Sequence, residues 1–216
     1  MEVWQLSRRR VSPMRDVRAD RVVYLVRHGE PVGGVRYRGS TDDPLSAEGL
    51  AQMQHALAGC GAFDGIVSSP LRRCADFGRS LAERSGTPLA IEPRFREMHF
   101  GEWEGQSPQR LMAACPELLR KFWADPLAHP PPGAESLDTF RNRVIDAWSA
   151  HVRAFEGERL LLIVHGGTVR VILGFEHRLS VQELVSLDVR YASVHTIHLK
   201  SGGDPAETGL TTTNAR

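Results

Sequence analysis

Two short runs, residues 22–26 (Val-Val-Tyr-Leu-Val) and 160–164 (Leu-Leu-Leu-Ile-Val), are apolar throughout and carry no alternation of polar residues. Such runs mark strands covered on both faces, because a strand with one wet face would alternate. Covering both faces needs helices on both sides, and the rest of the chain supplies them. Ser46 caps a helix with Leu50, Met53 and Leu57 at helical spacing, closed by Gly59. Residues 64–68 read as a second strand, and Ser69-Pro70 as the start of a helix with Leu71, Cys74, Phe77 and Leu81 on one face. Ser136 opens a longer helix presenting Phe140, Val144, Ala147 and Phe155. Residues 168–173 are helical, Ser180 and Glu183 form a capping box, and residues 194–199 make a last strand. Alternating strand and helix predict an α/β fold, a three-layer α/β/α sandwich around a mainly parallel sheet.

Residues 21–200 form the expected domain, with the prolines at 126 and 130–132 as a stiff connection inside it. Residues 1–20 hold five arginines and no hydrophobic period, and they read as a disordered leader; Met14 is an alternative start. Residues 201–216, rich in Gly, Thr and Ser, read as a disordered tail. Charge restricts the partners. With 27 basic and 26 acidic residues the net charge is +1, which argues against a surface built for nucleic acid or anionic membrane. The longest apolar runs are too short to span a bilayer, and no secretory signal is visible. Three cysteines without CxxC spacing suit free thiols in the cytoplasm.

Ligands of such sheets bind beyond the carboxyl ends of the strands. There the first run delivers Arg27-His28-Gly29-Glu30, and the strand at 64–68 delivers Ser69-Pro70 and then Arg72-Arg73. The second run delivers His165-Gly166-Gly167. An Arg-His-Gly or a His-Gly-Gly alone is a common accident. Both together, 137 positions apart and directly after the two most apolar strands, are not.

These residues resemble the motifs of the histidine phosphatase superfamily, the phosphoglycerate-mutase-like enzymes. Residues 25–30 (Leu-Val-Arg-His-Gly-Glu) are similar to its first motif and residues 68–74 (Ser-Ser-Pro-Leu-Arg-Arg-Cys) to its second arginine motif. Residues 96–105 are similar to its acid motif, and residues 164–167 to its second histidine. The resemblance implies a phosphoglycerate-mutase-like fold and a nucleophilic His28 that carries a transient phosphoryl group. It implies that Arg27, Arg73, His165 as a protonated or donor imidazole, and the Gly166 amide bind the phosphate. Glycines 29, 166 and 167 would let backbone approach that phosphate. Among Glu97, Glu102 and Glu104 it selects Glu97 as the proton donor, held protonated by its surroundings.

Family mutases resemble a longer chain between the acid motif and the second histidine. Here Glu97 and His165 are 68 positions apart, and Gly34 and Arg38 stand where mutases carry Asn and Thr. The resemblance therefore implies a phosphatase acting on a small phosphorylated metabolite, closest to the α-ribazole phosphatase branch of cobalamin assembly. Tyr37, Arg38, Met98 and Trp103 are expected around the substrate. A broad-specificity phosphatase, a mutase and a non-catalytic phosphate binder follow in that order. No metal or cofactor is implied, since HExxH, paired Cys spacing and aspartate clusters are missing from the sequence. His99, His129, His177, His195 and His198 read as surface or sheet residues.

Overall fold

The computed structural model describes residues 20–199 and 210–213. Its middle layer is a sheet of β1 (Arg21–Arg27), β2 (Gly65–Ser68), β3 (Leu89–Ile91), β4 (Arg159–Val164), β5 (Val194–Leu199) and β6 (Leu210–Thr213). The strand order is β3-β2-β4-β1-β5-β6. The first four strands pair in parallel, while β5 runs antiparallel to β1 and β6 antiparallel to β5. The helices are α1 (Ala47–Leu57), α2 (Arg72–Ser85), α3 (Pro108–Ala114), α4 (Pro116–Ala124), α5 (Leu137–Ala154), α6 (Gly166–His177) and α7 (Val181–Ser186). This is the mainly parallel α/β/α sandwich expected from the two apolar runs.

The absence of alternation in β4 follows from its position between two helical layers. Leu160, Leu162 and Val164 pack with Phe140, Val144, Ala147 and Trp148 of α5 and Ile172 of α6. Leu161 and Ile163 point the other way, to Met53 and Leu57 of α1 and to Cys74 and Phe77 of α2. Successive side chains of one strand thus enter two separate cores. Ser46, Ser136 and Ser180 cap α1, α5 and α7, the last through a full capping box.

Several local expectations need correction. Helix α2 starts at Arg72 and not at Ser69-Pro70. Strand-like pairing runs one residue further, with the Ser69 amide donating to Ile163 O at 3.0 Å, which leaves Pro70 and Leu71 in the bend. Leu50 is 42% exposed. The inward face of α1 is Gly49, Met53 and Leu57, and a Cβ at Gly49 would overlap the Glu30 backbone, so the helix sits too close for a side chain there. Residues 210–213 of the tail form β6, which pairs with β5 and extends the sheet beyond it. Leader residues 1–19 and tail residues 201–209 and 214–216 lie outside the described residues, as does Lys200. Among the described residues no helix is long and apolar enough to cross a membrane.

Candidate active site

β1 and β4 are neighbours in register, Arg27 opposite Val164, so the next residue of each strand leaves the sheet at the same point. Those residues are His28 and His165. Their rings lie 5.2 Å apart, centroid to centroid, and both are buried. β2, on the other side of β4, brings Ser69 to the same edge, and α2 begins three residues later with Arg72 and Arg73.

The tautomer of His28 follows from one bond. Its Nδ1 lies 2.8 Å from Gly29 O, and a carbonyl only accepts, so Nδ1 carries the proton and Nε2 keeps the lone pair. Burial, then the charges of Arg27 and Arg73, hold the ring well below the ordinary histidine range, so it is neutral. His165 has the opposite tautomer. Arg73 Nε donates to its Nδ1 at 3.3 Å, and its Nε2–H donates to Ser69 Oγ at 2.7 Å. Burial, followed by Arg73, keeps His165 well below its usual range too, so it is a neutral donor and not an imidazolium.

Three guanidinium groups surround this pair. Arg27 Nη1 donates to Val189 O at 2.7 Å, while its buried Nε has no hydrogen-bond partner. A buried, unpaired guanidinium N–H beside a nucleophilic nitrogen is a donor in want of an anion. Tyr191 lies against this group, with Arg27 Cζ 4.1 Å from its ring centre and the His28 ring 5.7 Å away. Arg170 Nη2 is held by Leu187 O at 3.0 Å. A Cβ at Gly166 would come within 3.3 Å of both Arg170 Nη1 and Arg27 Nε, so the two guanidiniums converge beside Gly166. Burial lowers both arginines from their ordinary value, yet arginine stays charged. Arg73 is fully buried and bonds Thr41 O at 2.7 Å and Arg38 O at 3.0 Å besides His165.

Glu97 stands across from them. Its Oε2 accepts from Gly167 N at 2.9 Å and its Oε1 from Met98 N at 3.0 Å. The segment carrying it is pinned by Arg143, which donates to Arg94 O, Arg96 O and Glu97 O and forms an ion pair with Glu135. Glu97 thus faces two backbone N–H donors and stands within the field of Arg27 and Arg170. Glu102 is exposed. Glu104 accepts five bonds, from the amides of Gly39, Ser40, Thr41 and Phe100 and the Thr41 hydroxyl. These outweigh its burial and lower its pKa, which makes it a clamp on the loop after β1.

The glycines divide their work differently from expectation. A Cβ on Gly29 would overlap the Gly49 backbone, so Gly29 serves close packing of α1 and not phosphate approach. A Cβ on Gly167 would intrude on Glu97 Oε1. Of the residues expected around substrate, Tyr37, Met98 and Arg38 line the cavity, together with Phe100, Phe122, Trp123, Leu137 and Phe140. Arg38 bonds Asp43, Gly34 O and Val32 O, so its guanidinium serves the loop fold. Trp103 is 3% exposed and sits behind Tyr37, in an apolar cluster with Leu111 and Leu119 and outside the cavity wall. Arg170 and Tyr191, missed from the sequence, do line it. Arg170 sits one helical turn after Gly166, a spacing that reads as helix face only once the strand edge is known to be the site. Tyr191 had no local signal. His195 is a buried sheet residue, held down to about 4 by burial and then by Arg170. Among the described residues no three His, Cys, Asp or Glu side chains stand together as metal ligands.

A neutral imidazole with an unused lone pair, ringed by fixed guanidiniums and faced by a carboxyl group, has the chemistry that phosphoryl transfer through a histidine requires. The comparison with known proteins agrees. The histidine phosphatase superfamily (branch 1) profile matches residues 23–208, and the chain belongs to that superfamily, as a phosphatase and hence a hydrolase. Glucosyl-3-phosphoglycerate phosphatase of Mycolicibacterium vanbaalenii is 33% identical over 174 residues, 70% of this chain and 72% of the relative. The metal-independent phosphoserine phosphatase of Arabidopsis thaliana is 29% identical over 82% of this chain and 76% of its own length. The crystal structure of the α-ribazole phosphatase from Shigella flexneri superposes with a TM-score of 0.69 at 25% identity, covering 82% of this chain and 89% of that one.

Proposed function

We propose that the protein hydrolyses a phosphomonoester through a phosphohistidine on His28, without a metal. The observation that carries this reading is the His28 Nδ1–Gly29 O bond beside the orphaned Arg27 Nε: one fixes a free nucleophilic nitrogen, the other awaits an anionic oxygen. In the first half-reaction His28 Nε2 attacks phosphorus, and the ester P–O bond breaks as the N–P bond forms. Arg27, Arg170 and the Gly166 amide take up charge on the non-bridging oxygens, with Arg73 and His165 behind them. Glu97 gives its proton to the departing alkoxide. In the second half-reaction water attacks phosphorus, Glu97 takes the water proton, and His28 leaves neutral.

The substrate we assign is α-ribazole 5′-phosphate. The likeness to the Shigella enzyme supports it, as does an aromatic cavity wall suited to a benzimidazole nucleoside. Broad specificity is the second reading, favoured by relatives named for unlike esters. The test is kcat/KM on a panel of α-ribazole phosphate, phosphoserine, phosphoglycerates and sugar phosphates, with and without EDTA. The expected result is at least tenfold preference for α-ribazole phosphate, unchanged by EDTA and abolished in His28→Ala. Comparable values across the panel would leave the broad reading; loss to EDTA restored by a divalent ion would refute metal independence.

A further inference from the structure

The phosphate end accounts for only part of the cavity, whose volume is about 520 Å³. The rest reaches away from His28 between the loop after β1, helix α4 and the start of α5, and it is bounded by Tyr37, Phe100, Phe122, Trp123, Leu137 and Phe140. The roof is a built aromatic assembly: Tyr37 packs on Phe100 at 5.1 Å and lies 6.3 Å from Phe122, centroid to centroid. Its polar atoms satisfy one another, Trp123 Nε1 donating to Tyr37 Oη at 2.9 Å. Of the two arginines at this end, Arg38 has its charge paired with Asp43, while the exposed Arg36 is held by carbonyl groups. Arg36 donates to Gly33 O and Gly105 O, and Arg38 to Asp43 and two carbonyls. Between the rings and away from the exposed Arg36, a second charged group on a substrate, such as the carboxylate of an amino-acid or sugar-acid phosphate, would lose water against aromatic faces, which costs affinity.

Resting on the phosphatase reading of the same site, we infer that this distal half is a leaving-group subsite selective for phosphomonoesters of aromatic or extended apolar alcohols. α-Ribazole phosphate is one member of that class; phosphoserine and phosphoglycerate are not. The aromatic rings bury the apolar part of the alcohol while its ester oxygen stays beside Glu97, so binding energy far from phosphorus holds the reacting atoms in place.

The test is kcat/KM for primary n-alkyl phosphates from ethyl to hexyl, whose leaving groups differ little in reactivity, beside phosphoserine and 3-phosphoglycerate. Each methylene buried in the subsite is expected to raise kcat/KM about fourfold. Hexyl phosphate should exceed phosphoserine by at least tenfold, and Trp123→Ala, at the 45% exposed rim, should reduce the slope. A flat alkyl series, or faster turnover of phosphoserine or 3-phosphoglycerate than of hexyl phosphate, overturns the subsite while His28-dependent turnover leaves the phosphatase reading standing. Failure to turn over any ester overturns both.

Discussion

Replacing Gly167 by alanine displaces the proposed proton donor, Glu97, while leaving that residue itself unchanged. A Cβ at 167 would fall well inside contact distance of Glu97 Oε1, 3.1 Å from its Cδ and 3.2 Å from Phe140 Cε1. Phe140 is buried and cannot yield, so the carboxyl group must, by about 1 Å, and the bond from Gly167 N to Oε2 goes with it. A misplacement of that size costs about 100-fold in rate, roughly 2.7 kcal/mol of barrier. The fold should not suffer, since Gly167 lies in α6, where alanine is favoured over glycine by up to about 1 kcal/mol. Stopped assays with hexyl phosphate and with p-nitrophenyl phosphate separate the causes. The alkyl ester, whose alkoxide needs a proton, should lose about 100-fold in kcat/KM, which reports the phosphorylation half-reaction alone; p-nitrophenyl phosphate, whose leaving group does not, should lose tenfold or less. Equal losses on both esters, or no loss on either, would refute Glu97 as the donor.

Further outcomes follow from the same geometry. His28 and His165 are kept neutral by burial and His195 is held to about 4, whereas their unfolded forms protonate near 6.5; stability is therefore full above pH 6.5 and declines below it, by about 1.4 kcal/mol per pH unit for each proton. Urea midpoints should fall from pH 7.5 to 5.5, and a constant midpoint would contradict the buried neutral state. Tyr191→Leu removes the ring from Arg27 and should weaken inhibition by inorganic phosphate about tenfold, with Tyr191→Phe near wild type; equal effects of both would assign the loss to the hydroxyl. Glu104→Ala frees five donors around the loop after β1 and should cost about 3 kcal/mol in urea unfolding while lowering kcat for alkyl and nitrophenyl esters alike. A loss confined to alkyl esters would make Glu104 a rival donor.

The legible parts of this molecule are those in which one local pattern had one physical cause. Residues 160–164 could be read as a doubly covered strand because both of its faces enter cores, and Ser46, Ser136 and Ser180 could be read as caps because only a helix start uses a serine that way. His28 and His165 were legible because each directly follows such a strand. What escaped was set by packing between distant segments. Leu50 looks inward by spacing, but the close approach of α1 to Glu30 rotates Gly49 inward. Trp103 and Arg38 carry the right chemistry for a ligand yet are consumed by the cluster behind Tyr37 and by the loop after β1. Helices α3 and α4, which build part of the cavity roof, are seven and nine residues long and start at prolines, and nothing local to them shows that they fold over the strand edge. Tyr191 reaches the site from a loop after α7, through contacts to β1 that no nearby residue announces.

The central claim is that His28 accepts the phosphoryl group on the nitrogen that Gly29 leaves free. Rapid mixing with a good phosphoester, followed by alkaline quench and ³¹P NMR of the denatured protein, measures this directly. The account predicts an acid-labile phosphoramidate on Nε2 of His28, absent from His28→Ala. Steady turnover with no phosphoprotein, or phosphate on Nδ1 or on another residue, would contradict it.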